Sequence, residues 1–118
     1  MPQGTGLIGH LDAGLRATSL RQTTIANNIA NMATPGYRRM TLPFEGIFAD
    51  ALKSGKPVDL DDVASCIVQP RTDPLNEHGN DVELDTEVAE LVRNSALYKT
   101  YMRVLNRMYR QMDLAIQG

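Results

Sequence analysis

The chain is poor in the residues that usually carry chemistry. Its 118 residues include one cysteine, two histidines, two phenylalanines and no tryptophan, and aromatic residues reach only 5%. A single thiol, Cys66, excludes an intramolecular disulfide and reads as a passive small residue. His10 and His78 stand in unrelated glycine-flanked contexts with no ligand spacing around either, so no metal site is expected. There is no glycine-rich phosphate loop and no serine or cysteine nucleophile signature. The sequence therefore offers no catalytic, cofactor-binding or metal-ligating residue and does not read as an enzyme. A net positive charge is lacking as well. A net charge of -2 and a pI near 5.6 lack the strongly basic footprint of a nucleic-acid binder. Long hydrophobic runs are missing, so membrane insertion is not expected. The stretch Met1 to Gly14, with Gly4, Gly6 and Gly9, has neither the basic flank nor the apolar run of a secretory signal. Any export would proceed without a cleaved signal peptide.

What is present is heptad periodicity at both ends. The length suits one small domain, divided into a helical segment 1–34, a connector 35–80 and a second helical segment 81–118. In the first, Leu11, Leu15, Thr18, Gln22, Ile25, Ile29 and Met32 step by four and three, the mark of a helical seam. A helix from about Gly6 to Ala33 would be roughly 42 Å long. In the second, Leu84, Val88, Leu91, Ser95, Tyr98, Met102, Leu105, Tyr109, Met112 and Ile116 keep the same rhythm. Asp85 is a plausible N-cap. The expected fold is mainly α, with Leu11, Leu15, Ile25 and Ile29 meeting Leu91, Tyr98, Met102 and Leu105 inside the chain.

The second helix carries another seam, Leu97, Tyr101, Val104 and Met108. A face this wide exceeds what one partner helix covers. The spare seam is read as an intersubunit surface, with cover by the connector as the alternative. The connector carries Pro43, Pro57, Pro70 and Pro74 with Gly46, Gly55 and Gly79, which excludes a long helix. Within it, Leu42–Leu52 suggests a short helical turn and Ser65–Gln69 a brief β element. Asp59, Asp61 and Asp62 suggest a solvated acidic loop.

The junction after the first segment is the densest in signals. Asn27, Asn28 and Asn31 are poor helix formers, and suit either contacts to other chains or the capping of a helix end. Pro35-Gly36 fits a type II turn, since proline presets the first central φ and glycine takes the positive one. Tyr37 would pack back, and Arg38 and Arg39 would form a solvated pair or bridge to an acidic neighbour.

The run Ala26 to Arg39, ANNIANMATPGYRR, resembles the ANNIAN-x-x-TPGY-[KR] signature of the bacterial flagellar rod and hook proteins. His78 to Asp85, HGNDVELD, is similar to the segment that leads into their C-terminal helix, and the tail looks most like that of their proximal rod subunits. Met32-Ala33 departs from the commoner pattern, and Ala49 to Arg71 resembles no named segment.

The resemblance implies two terminal helices packed as an antiparallel coiled coil in a torque-transmitting rod that crosses the periplasm. It implies an assembly motif of Asn27, Asn28, Asn31, Thr34, Pro35, Gly36 and Tyr37. It also implies passage through the flagellar type III export apparatus, with Phe44 and Phe48 as a possible export element. The implied partners are its own copies, the neighbouring rod proteins FlgC and FliE, and the membrane ring. Another axial subunit, FlgC-like, is the alternative. A cytosolic helical adaptor or a DNA-binding regulator using Arg103, Arg107 and Arg110 ranks below it.

Overall fold

The computed structural model describes residues 6–117 and holds four helices: α1 Leu7–Ala30, α2 Glu45–Ser54, α3 Leu60–Ala64 and α4 Leu84–Gln117. The part of the signal-peptide expectation that falls on residues 1–5 lies outside the described residues. The protein is elongated, 64 × 26 × 21 Å, because two long helices lie side by side and α4, at about 1.5 Å per residue, spans roughly 51 Å.

The α1–α4 pairing has a definite order. Gly14 faces Tyr101, so that a Cβ added at Gly14 would overlap the Tyr101 ring. Further along α1, Asn94 donates to the Thr18 carbonyl and to Gln22 Oε1, both at 2.8 Å, and Asn28 meets Glu87. Partner numbers fall on α4 as they rise on α1. The middle of the interface is polar. Thr18, fully buried, returns its hydroxyl to the Gly14 and Leu15 carbonyls, and Gln22 donates to Ser95 Oγ.

The first helix stops at Ala30, three residues before the expected end. Asn31 leaves helical geometry, and its backbone and side-chain amides both donate to the Asn27 carbonyl, at 3.1 and 2.9 Å, which fastens the last turn. Asp85 is not an N-cap; it lies inside the first turn of α4 with Glu87.

The connector is more ordered than its prolines and glycines suggest. The turn expected at Leu42–Leu52 is the helix α2, closed by Gly55 in the left-handed region at φ 69°. The acidic stretch is not a loop. Asp59 caps α3 by accepting from the Asp61 amide at 2.9 Å, and Asp61 and Asp62 fill its first turn, where negative charge suits the helix dipole. The β element at Ser65–Gln69 shrinks to one antiparallel bridge, Thr41 to Val68, with both amides bonded at 2.9 and 3.0 Å. The next rung on either side would need an amide hydrogen from Pro43 or Pro70, and neither has one.

The apolar core is built mostly from this connector. Leu42, Phe44, Ala51, Val58 and Val63 pack on the small-residue face of α1 made by Ala13 and Ala17. Burying side chains such as Phe44, Leu42 and Val63 stabilises by about 1.5–3 kcal/mol each. Leu97 of α4 packs against the same cluster, so the connector covers part of the seam that periodicity assigned to another subunit. Arg21 anchors the start of α2. Its guanidinium donates to the Leu42 carbonyl at 2.7 Å and to Glu45 Oε2 at 2.6 Å, and lies 4.1 Å over the Phe44 ring.

Candidate functional site: a polar latch between the terminal helices

Where α1 ends and α4 begins, four separate stretches of chain converge on one buried polar cluster. Asn28 is its centre and is fully buried. Its amide donates to the Met40 carbonyl at 2.8 Å and to the Glu87 carboxylate at 3.2 and 3.3 Å. Its oxygen accepts from the Met40 amide at 2.9 Å and from the Tyr37 hydroxyl at 3.0 Å. Glu87, also fully buried, accepts from Arg39 Nε at 2.7 Å. Arg39 reaches on to Asp73 at 3.3 Å, and its backbone amide donates to Asp81 at 2.6 Å. Asp81 also lies 3.8 Å from Arg38. Arg39 is thus a buried member of an ion network and not half of a solvated pair.

The two turns beside the cluster bring these stretches together. Gly36 sits at φ 77°, the positive value required at the third position of a type II turn, and the Tyr37 amide closes that turn on the Thr34 carbonyl at 3.3 Å. The Gly36 amide then donates across to the His78 carbonyl at 2.9 Å. Facing it, Asn76 Oδ1 collects the amides of His78 and Asn80 at 2.9 and 3.0 Å, while Gly79 turns at φ 72°. Asn80 ties the two turns together, donating to the Asn31 and Thr34 carbonyls at 2.9 and 2.8 Å and accepting from Val82.

Charge is balanced inside the cluster. Burial alone would lower the Arg39 pKa, but the hydrogen bond and charge of Glu87, with Asp73 and Asp81, outweigh it and leave the guanidinium above its ordinary value. Burial raises the Tyr37 pKa, and the negative charges of Glu87 and Asp81 raise it further. Asn28, Tyr37 and Arg39 each donate to acceptors of the same chain, while the buried Asp81 Oδ2 has only the Arg38 charge, 3.8 Å away. Among the described residues no group of three or more His, Cys, Asp or Glu side chains could hold a metal. The arrangement holds segments together; its groups are committed to one another.

The residues singled out by sequence divide sharply. Of the junction motif, Asn28, Asn31, Thr34, Gly36 and Tyr37 bond within the chain, while Asn27 and Pro35 are exposed. Leu11, Ile25 and Leu105 are buried, and Leu15, Ile29, Leu91 and Tyr98 are half-buried, but Met102 is exposed. Leu97, Tyr101, Val104 and Met108 are half-buried on the side toward α1. Tyr101 turns inward because Gly14 leaves room for its ring, whose hydroxyl pKa is raised by burial and by Glu45, with Arg21 opposing. The apolar residues left outside are Val92 at 64%, Leu114 at 68% and Ile116 at 82% exposed, with Val88, Tyr109 and Met112. Phe44 is buried and its ring centroid lies 5.1 Å from that of the half-buried Phe48, so both are core residues of the folded chain. Glu87, Asn80, Asp81 and Asn94 were missed as partners, whereas Arg39 has the acidic neighbour that was its second reading. One signal was available for two of them: Glu87, Asn94, Tyr101 and Met108 recur every seven residues, a seam hidden by its polar members.

Comparison with known proteins adds a family. The family described as "Flagella basal body rod protein" matches residues 10–38, covering most of α1 and the turn after it. The chain is similar to the flagellar basal body rod protein FlgB of Cereibacter sphaeroides, 30% identical with 97% of this chain and 98% of the relative covered. It is similar to FlgB of Bacillus subtilis, 28% identical over 97% of this chain and 95% of the relative. FlgB of Borreliella burgdorferi is 27% identical, with 87% and 90% covered.

Proposed function

This chain belongs to the family of flagellar basal body rod proteins FlgB, and we propose from that premise that it polymerises through its terminal helices into the proximal part of the rod. The family is structural and not an enzyme family, and the chain is a structural subunit of the basal body rod. In this reading the helix pair is an antiparallel coiled coil that runs along a torque-transmitting shaft crossing the periplasm. Its neighbours are further copies of itself, FlgC, FliE and the membrane ring. The chain reaches them through the flagellar type III export apparatus. Phe44 and Phe48 serve as the export element while the chain is unfolded, before they enter the core.

One observation carries the reading. With Gly14 level with Tyr101, the start of α1 at Leu7 is level with Met108. Beyond that level α4 continues for nine residues, about 13 Å, and presents exposed Tyr109, Met112, Leu114 and Ile116. An apolar helical tip of this kind marks an interaction site. The intersubunit surface is therefore this tip together with Val88, Val92 and Met102, and it includes less of Leu97, Tyr101, Val104 and Met108 than periodicity suggested. Asn27, Thr34, Pro35 and Gly36 are the exposed members of the junction motif and the ones that would touch a neighbour.

The test is quantitative mass spectrometry of purified hook–basal bodies from the source cell. The chain is expected there at a level comparable to other rod subunits. Its retention in the cytosol of a flagellated cell would remove the rod reading in favour of an adaptor.

A further inference from the structure

Four basic side chains on α4 have no acidic partner among the described residues. Lys99, Arg103, Arg107 and Arg110 are exposed and form no ion pair among the described residues. Lys99, Arg103 and Arg107 recur at every fourth position, so like charges stack on adjacent turns, which weakens a helix on its own. They do not answer the helix dipole either. The helix ends at Gln117 and its last turn holds no basic residue, although that turn is where the dipole is felt. Arg103 and Arg110 lie two and nine residues past Tyr101, which is about 200° and 180° round the helix. Arg103, Arg107 and Arg110 therefore face away from α1, beside exposed Val92 and Leu114, while Lys99 lies at the edge of the stripe next to Thr18, Ser19 and Gln22.

The complementary charge sits on the other flank. The short helix α3 packs against α1, and Asp59, Asp61 and Asp62 at its start are exposed and paired with no cation among the described residues. Val58 and Val63 on either side anchor this turn in the core with Ala13 and Ala17. That is the level at which Gly14 meets Tyr101. Stripe and turn therefore lie at similar heights on different helices of the pair, and among the described residues no ion pair joins them within one copy, whereas two copies side by side can bring them together.

We propose that the basic stripe of α4 docks laterally on the acidic α3 turn of a second copy of this chain. The pairing rests on the rod-subunit reading and assigns its lateral neighbour. It is a heterologous contact, which repeats to close a ring or wind into a helix. Exposed ion pairs are individually weak and screened by salt, so they set the orientation and height of the neighbour while Val92 and Leu114 add apolar burial.

Sedimentation of the full chain at low ionic strength tests the pairing with two charge-reversed variants. One carries Arg103→Glu, Arg107→Glu and Arg110→Glu. The other carries Asp61→Lys and Asp62→Lys, with Asp59 kept because it caps α3. The unsubstituted chain is expected to self-associate and to lose association as salt rises. Each variant alone is expected to associate at least about tenfold more weakly, a difference of about 1.4 kcal/mol. An equimolar mixture is expected to recover, since the reversed stripe then meets the reversed turn and the native stripe the native turn. Circular dichroism verifies that helicity is kept; if the lysine variant loses it, Asp61→Asn with Asp62→Asn takes its place and must weaken association. The pairing is overturned if the unsubstituted chain stays monomeric, if either variant associates like it, or if the folded variants fail to complement. Loss in the stripe variant alone also overturns it, and hands the stripe to a different acidic partner. None of these results bears on whether the chain is found in basal bodies, so the two readings fail separately.

Discussion

The two ends of the helix pair are built on opposite principles. At the end where α1 stops, Asn28, Tyr37, Arg39, Asn80, Asp81 and Glu87 spend their hydrogen bonds on one another and on nearby backbone. At the other end, α4 runs past the start of α1 with Tyr109, Met112 and Ile116 exposed. The closed end uses polar chemistry, which is directional and specifies a single register. The open end uses apolar surface, which is non-directional and gains most when another molecule covers it. The signature motif through which the chain resembles its family thus lies at the end whose side chains bond within the chain, while the exposed apolar tip lies at the other.

The sharpest way to break this contrast is at the closed end. Glu87→Ala leaves Arg39 and Asn28 buried without their acceptor. Removing one partner of a buried ion pair costs about 3–5 kcal/mol, so the isolated chain should lose most of its stability in urea denaturation. A loss below about 1 kcal/mol would show that the latch contributes little.

A smaller effect is expected at Tyr37. Its pKa is raised above the ordinary value of about 10 in the folded chain. Between the ordinary and the raised value the unfolded chain has lost the proton and the folded chain keeps it. Stability is therefore in place below about pH 10 and falls as pH rises through the folded value. Tyr101 acts in the same direction. Tyr37→Phe should cost about 1 kcal/mol at neutral pH and flatten the alkaline decline without abolishing it. An unchanged alkaline limb in denaturation series above pH 9 would refute this.

The smallest effect on the monomer is expected at the open end. Met112→Asp should change the stability of the isolated chain by less than about 0.5 kcal/mol, yet abolish incorporation into basal bodies as read by fractionation and swimming. If it destabilises the monomer as much as Glu87→Ala does, the two ends are not different in kind.

The two long helices were legible because their seams repeat over many turns, and Leu11, Ile25 and Leu105 are buried as the spacing implies. Which of two adjacent seams on α4 faces inward was not legible. It depends on Gly14 and the alanines of α1, whose small size matters only once Tyr101 is opposite. The ordered connector was hidden for a related reason. Phe44, Val58 and Val63 share no period, and their common core exists only after the chain has folded back on α1. Asn28, Arg39, Asp73, Asp81 and Glu87 come from distant stretches, and Arg39 looks like any solvated arginine until Glu87 is beside it. Local pattern reveals periodic partners and not the aperiodic ones.

The lone rung between Thr41 and Val68 has a further consequence. Extended segments with unpaired edges are templates for sheet growth, and Ile67 and Val68 are exposed apolar residues next to this one. Pro43 and Pro70 deny the next amide only to the strand of the same chain, because residues two apart point the same way. Toward another molecule Met40 and Leu42 face out, and Asn28 already bonds the Met40 amide and carbonyl while Arg21 takes the Leu42 carbonyl. Side chains of α1 thereby blunt the outer edge of the Thr41 segment against another strand.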